Sequence, residues 1–202
     1  MNLGDLRTHF KALLNRTDVS SQLISTFLDQ SQTRIMRTLR VPNMENQHTY
    51  TISASTSSVV LPADFLEAID LYFDDYLLRR IPMREMLLRR KSGESGNPHF
   101  FARENATFLL FPAPSSGTLT LNYYATFATM SADSDENGLA QMASDVLLYG
   151  ALVFAADYYL DDRLPQFEMR FGQLLNEIQL FADDAELAGQ LTSIRPNTFY
   201  DD

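Results

Sequence analysis

The spacing of apolar residues changes twice along this chain of 202 residues, and this change constrains the fold more than any other feature. Residues 1–42 and 138–189 carry apolar side chains three and four positions apart, which predicts helices. Residues 46–131 instead alternate apolar and polar side chains, which predicts strands. We therefore interpret the chain as a single domain in which a helix pair, a β region and a second helix pair precede an extended tail at 190–202.

Neither helix pair can bury a wide apolar stripe alone, so we expect the two pairs to meet as a four-helix bundle. The β region would then be an antiparallel insertion, and the fold class would be α+β and mainly α. Asp18 is the expected N-cap of the second helix, and Pro42 its expected end. Pro165 suits the first turn of the last helix, and Gly189 would cap its end.

Local signals divide the β region further. Asp74 and Asp75 predict a turn, and Met83–Arg90 predicts a short helix. Ser92–Pro98 is rich in Gly, Ser and Pro and is expected to be a loop. Phe100–Arg103 and Phe108–Phe111 are expected to pair as a hairpin.

Composition excludes several classes of protein. The net charge of −10 argues against a protein that wraps nucleic acid, because such binding needs a basic footprint. The absence of cysteine excludes disulfides, thiol catalysis and cysteine-ligated metals. No apolar run approaches the roughly 20 residues of a membrane span, and the N-terminus does not resemble a secretion signal.

Acidic pairs leave one enzymatic alternative open. Asp161 and Asp162 could serve a carboxylate-dependent hydrolase, but adjacent residues rarely point into one site, so solvated surface is the preferred interpretation. The histidines, His9, His48 and His99, lack the spacing of metal ligands. We therefore expect no catalytic residue, metal or cofactor.

The segment from Arg79 to Lys91 is basic in a chain that is otherwise acidic. It leaves three interpretations open. A solvated face that balances nearby acids is preferred, an interface with an acidic neighbouring subunit is possible, and a regulatory nucleic-acid-binding protein is the third.

Several short motifs occur in an order that matches a known family. They are Leu61–Glu67, Gly96–Phe100, Leu110–Pro114, Leu119–Ala125 and Leu148–Leu152 with Ala155, Ala156 and Tyr158–Leu160. In this order the chain resembles the portal-bound adaptor proteins of tailed bacteriophages, also called head-to-tail connector or head-completion proteins.

The resemblance implies a structural virion protein of the neck, between head and tail, that is assembled in the host cytoplasm. It implies a homo-oligomeric, dodecameric ring that binds the portal protein, extends the DNA channel and offers a docking surface to a downstream tail, nozzle or stopper protein. Genomic DNA would pass through without specific binding, which agrees with an acidic chain that repels phosphates.

Two sets of residues are the candidate interaction sites. The tail is expected to bind the portal through Ile194, Arg195, Phe199 and Tyr200. The residues expected at an interface with another subunit or a tail protein are Arg79, Arg80, Arg84, Arg89, Arg90, Gly96 and Pro98.

Overall fold

The N-terminal apolar stripes form two helices in a computed structural model that describes residues 1–53 and 56–187. These helices are α1 (Leu3–Leu14) and α2 (Ser21–Met36). Asn2 caps α1 by accepting a hydrogen bond from the Asp5 amide, and Asn15 ends the helix in the left-handed conformation. The predicted first helix is therefore confirmed.

The predicted ends of α2 are wrong. Ser20, rather than Asp18, caps α2 by accepting a hydrogen bond from the Leu23 amide. The Asp18 carboxylate is instead paired with Arg16, at 2.6 Å. The helix ends at Met36, well before Pro42, and Pro42 opens a short 3-10 helix, Pro42–Met44.

Residues 45–125 form strands in the order that their alternation indicates, with one short helix among them. The elements are β1 (Glu45–Ile52), β2 (Ser58–Val60), β3 (Phe65–Phe73), β4 (Tyr76–Leu77), β5 (Arg79–Arg80), α3 (Met83–Arg90), β6 (Phe100–Glu104), β7 (Thr107–Phe111) and β8 (Gly117–Ala125). The turn at Asp74 and Asp75, the helix over Met83–Arg90 and the hairpin of β6 with β7 are all confirmed.

The strands make two four-stranded sheets within the described residues, ordered β1-β8-β3-β4 and β2-β7-β6-β5. Every pairing is antiparallel except that of β5 with β6, which is parallel. The sheets share one apolar core, to which β8 contributes Leu119, Leu121 and Tyr123 and β7 contributes Phe108 and Leu110. Alternate residues of the central strands therefore bury one face of each sheet against the other.

Helix α3 covers the outer face of the second sheet. Its Met86 is fully buried against Ile81, Ala102, Leu109 and Phe111. These contacts fix α3 on the sheet and leave its opposite side turned away from the sheet.

The chain then returns to helices: α4 (Gly138–Met142), α5 (Ser144–Tyr159) and α6 (Leu164–Leu187). Ala143, with φ −146° and ψ 54°, separates α4 from α5, where the apolar pattern had indicated one continuous helix. Helix α5 is buried on most sides because α1, α2 and α6 all pack against it in one apolar core. None of the helices in the described ranges is long and apolar enough to cross a membrane.

The expected mainly-α four-helix bundle is wrong. The described part of the protein is α+β, with about 45% helix and 25% strand, and contains six α-helices and two four-stranded sheets. The error was to treat the β region as an insertion on a bundle. Strands that are apolar on one face need a covering layer, and here the two sheets cover each other and form a core of their own.

Candidate interaction surfaces

A basic surface forms where β5 and α3 meet at the edge of the second sheet. Arg79 and Arg80 make up the edge strand β5 and are exposed, as are Arg84 and Arg89 on α3, whereas Arg90 is half-buried. The structure thus places the arginines of the basic segment on an edge strand and on the helix that follows it.

Arg89 is held in place by its neighbours. Its guanidinium pairs with Glu85 at 2.7 Å and lies 4.2 Å from the centre of the Phe100 ring. Arg79, Arg80 and Arg84 have no acidic partner among the residues that the structure describes. These three cations are therefore available to a partner with negative charge.

Arg103 belongs to the same surface, although sequence reasoning missed it. Its guanidinium lies 5.1 Å from the centre of the Phe65 ring, and together with Arg80 it lines two shallow cavities of about 180 and 370 Å³. The parallel pairing of β5 with β6 brings the two arginines together, and such long-range pairing leaves no local pattern in the sequence.

The two predicted loop residues play different parts. Gly96 is exposed with φ +145°, a conformation that favours glycine, and its amide donates a hydrogen bond to the Ala113 carbonyl. Pro98 is buried, so its side chain fixes the loop rather than offering a contact surface.

A second surface is an apolar groove where the 3-10 helix, α4 and the last turns of α6 come together. The groove has a volume of about 450 Å³ and its wall is mainly apolar. Phe181 forms one side and is 77% exposed. The remaining lining residues are Val41, Pro42, Asn43, Met142, Glu177, Ile178 and Ala182.

The acids of the enzymatic alternative stand at the connection between α5 and α6. Arg163 binds the Asp161 carboxylate at 2.7 Å and also donates a hydrogen bond to the Leu14 carbonyl at 2.9 Å. The hydrogen bonds from the Arg163 side chain and amide lower the pKa of Asp161 to about 2. Arg163, held by Asp161, therefore joins the end of α1 to the start of α6, while Asp162 is exposed.

This ion pair gives a testable pH dependence. Since the folded pKa of Asp161 lies below its ordinary value of 3.8, the pair stabilises the fold above about pH 4, and this stability is lost as the pH falls towards 2. Asp161→Asn is expected to lower the free energy of unfolding at pH 7 by about 1 kcal/mol or less, since solvent screens a pair that is partly exposed. Thermal melts of both proteins should converge between pH 4 and pH 2, and a difference that persists at pH 2 would contradict this role.

Potential metal ligands do not converge in the described part of the chain. Within residues 1–53 and 56–187, no group of three or more histidines and acids is close enough to hold a metal ion. The expected portal-binding residues, Ile194, Arg195, Phe199 and Tyr200, lie outside the described residues, as does the expected cap Gly189.

Comparison with known proteins identifies the family to which the chain is similar. No curated protein matches the chain. The model of a family described as SU10 adaptor protein matches residues 1–196, nearly the whole chain. This match confirms the resemblance to phage adaptor proteins and indicates a structural component of the phage particle that interacts with other head or tail proteins. The chain therefore belongs to the SU10 adaptor protein family.

Proposed function

We propose that this adaptor binds the portal protein as a homo-oligomeric ring, extends the DNA channel and carries the docking surface for a downstream tail protein. The family match over residues 1–196 is the observation that carries this proposal. The position would be the neck of the virion, between head and tail.

The charge of the chain supports a role in passing DNA rather than holding it. The net charge is −10, and acids dominate from Asp133 to Asp202. A channel wall of this sign repels phosphates and lets DNA slide. The helical part, where most of these acids lie, would therefore face the channel.

The β region supports a role in contacts with proteins. Its basic surface is small, and three of its arginines lack an acidic partner within the described part of the chain. An acidic neighbouring subunit or tail protein would neutralise them, and the loop that contains Gly96 would lie beside that contact. The portal contact is assigned to the tail residues Ile194, Arg195, Phe199 and Tyr200.

The mass of the assembly tests this function. We expect the purified chain to be a monomer or a small oligomer at micromolar concentration, because its acidic surface repels other copies. After mixing with purified portal rings, the portal should gain the mass of one adaptor per portal subunit, measured by native mass spectrometry or sedimentation velocity.

Two outcomes would contradict the proposal. The first is a portal whose mass does not change in a large excess of the adaptor. The second is a stable closed ring of the purified adaptor alone, since the proposal assigns ring closure to the portal. The portal of an unrelated phage is the matched control and should gain no mass.

A further inference from the structure

Helix α3 has an outer face with a regular pattern of charge. Arg84, Leu87, Leu88 and Lys91 are spaced three, four and seven positions from the first residue, so they lie along one side of the helix. Lys91 follows the last residue of α3 and keeps a helical backbone, with φ −65° and ψ −22°. All four are exposed, with Leu87 at 52% and Leu88 at 58%.

The end of α6 carries the same pattern with the opposite sign. Glu177, Leu180, Phe181 and Asp184 have the same spacing and also lie along one side of their helix. All four are exposed, with Leu180 at 55% and Phe181 at 77%. Each face thus has two large apolar side chains between two charges, positive on α3 and negative on α6.

The two faces are complementary in charge and in hydrophobicity. Because each face has the same charge at both ends, the match holds whether the helices run parallel or antiparallel. None of the four charged side chains has an oppositely charged partner among the described residues. The exposure of both faces shows that they do not cover each other within one chain.

The apolar groove adjoins the α6 face and offers room for a leucine. Phe181 belongs both to this face and to the groove wall, and Val41, Met142 and Ile178 continue the apolar surface behind it. A leucine side chain from an opposing helix would fill apolar volume there that the fold leaves open.

We propose that α3 of one copy packs against the end of α6 of the next copy. Leu87 and Leu88 would lie beside Phe181, and the cations Arg84 and Lys91 would lie opposite the acids Glu177 and Asp184. Each copy carries one face of each kind, so the contact is heterologous and repeats from copy to copy, as a ring requires. The inference rests on the proposed function in one respect, because it assumes that copies of this chain lie next to each other in a ring. A contact of two helical turns buries a small area. This agrees with a chain whose copies associate weakly in solution and become neighbours only when they bind a portal.

Disulfide trapping tests the contact directly, because the chain contains no cysteine. We expect a chain with both Leu87→Cys and Phe181→Cys to form a ladder of covalent multimers under mild oxidation, on a non-reducing gel. Neither single variant should form covalent dimers in comparable amount, since each would supply only one side of a heterologous contact. The absence of a ladder from the double variant, or equal dimers from either single variant, would overturn the proposal.

Charge reversal supplies a second, independent measurement. In the double-cysteine chain, Arg84→Glu with Lys91→Glu should abolish the ladder, and adding Glu177→Lys with Asp184→Lys should restore it. Lys11→Glu with Arg37→Glu changes the net charge equally at other sites and should leave the ladder intact. A ladder that does not respond to reversal at Arg84 and Lys91 would overturn the charge pairing.

The trapping is run with the free chain and with the chain on purified portal rings, so that the two proposals fail separately. Portal binding without a ladder in either sample would overturn this contact and leave the proposed function standing. A ladder in the free chain without portal binding would support the contact and count against the proposed function.

Discussion

Replacing Gly150 by alanine is expected to lower the free energy of unfolding by about 1–3 kcal/mol, because the site has no room for a methyl group. A Cβ atom at this position in α5 would lie 2.2 Å from the Ser31 Oγ atom and 2.9 Å from a ring carbon of Phe171. Side chains of α2 and α6 therefore approach the backbone of α5 closely at Gly150. Urea unfolding followed by circular dichroism measures the effect.

Gly172 of α6 is the matched control. A Cβ atom there would have no neighbour within 4 Å, and the residue is exposed. Since glycine within a helix costs about 0.5–1 kcal/mol relative to alanine, Gly172→Ala is expected to raise the free energy of unfolding by that amount. The two substitutions should therefore shift the urea midpoint in opposite directions.

Ser31 determines much of the cost at Gly150. Its hydroxyl is buried and donates a hydrogen bond to the Leu147 carbonyl at 2.9 Å. Moving it aside would leave a buried polar group without a partner, at a cost of about 1–3 kcal/mol. Ser31→Ala removes the hydroxyl, which is the closer of the two groups that a Cβ atom at position 150 would meet. The variant with both Gly150→Ala and Ser31→Ala should therefore be more stable than the sum of the two single effects predicts. Simple additivity, or Gly150→Ala as stable as the original chain, would contradict this account of the packing.

Local patterns predicted the elements whose stability depends on near neighbours in the sequence. Helix α1, helix α3 and the hairpin of β6 with β7 were predicted from spacing and turn residues alone. The break at Ala143 was not, because the apolar stripe continues through it and only the backbone changes. The N-cap of α2 was misplaced because Asp18 and Ser20 are both good caps, and Arg16 takes the Asp18 carboxylate.

The arrangement of the sheets depends on pairings between distant residues. Strand β5 has only two residues, which is too short for a periodic pattern in the sequence. It pairs with β6 in parallel because the chain passes through α3 between the two strands. Without that pairing the sequence gives no reason to place Arg103 beside Arg80, nor to expect that the sheets would cover each other. The charge pattern on α3 and α6 is visible in the sequence, but only the structure shows that both faces are exposed.

A chain that ends at Gly189 is expected to keep the circular dichroism spectrum and melting temperature of the full chain and to lose binding to portal rings. Burying one apolar side chain contributes about 1.5–3 kcal/mol, while ordering each residue costs about 1–2 kcal/mol. Most residues of the tail are not large and apolar, so in a single copy the cost of ordering the tail exceeds what its apolar side chains contribute, and Ile194, Phe199 and Tyr200 should add little stability to the free chain.

On a portal the balance changes because many tails bind at once. Linked contacts that are weak individually give firm attachment together, and Arg195 can add a charge-assisted hydrogen bond to an acceptor on the portal. A full-length variant with Ile194→Ser, Phe199→Ser and Tyr200→Ser should therefore fail in a portal pull-down as the truncated chain does. Asn197→Ser with Thr198→Ser keeps the length and the apolar residues and should bind normally. If the truncated chain is retained by portals as well as the full chain, the attachment must come from the helices or the sheets, and the tail is not the portal-binding segment.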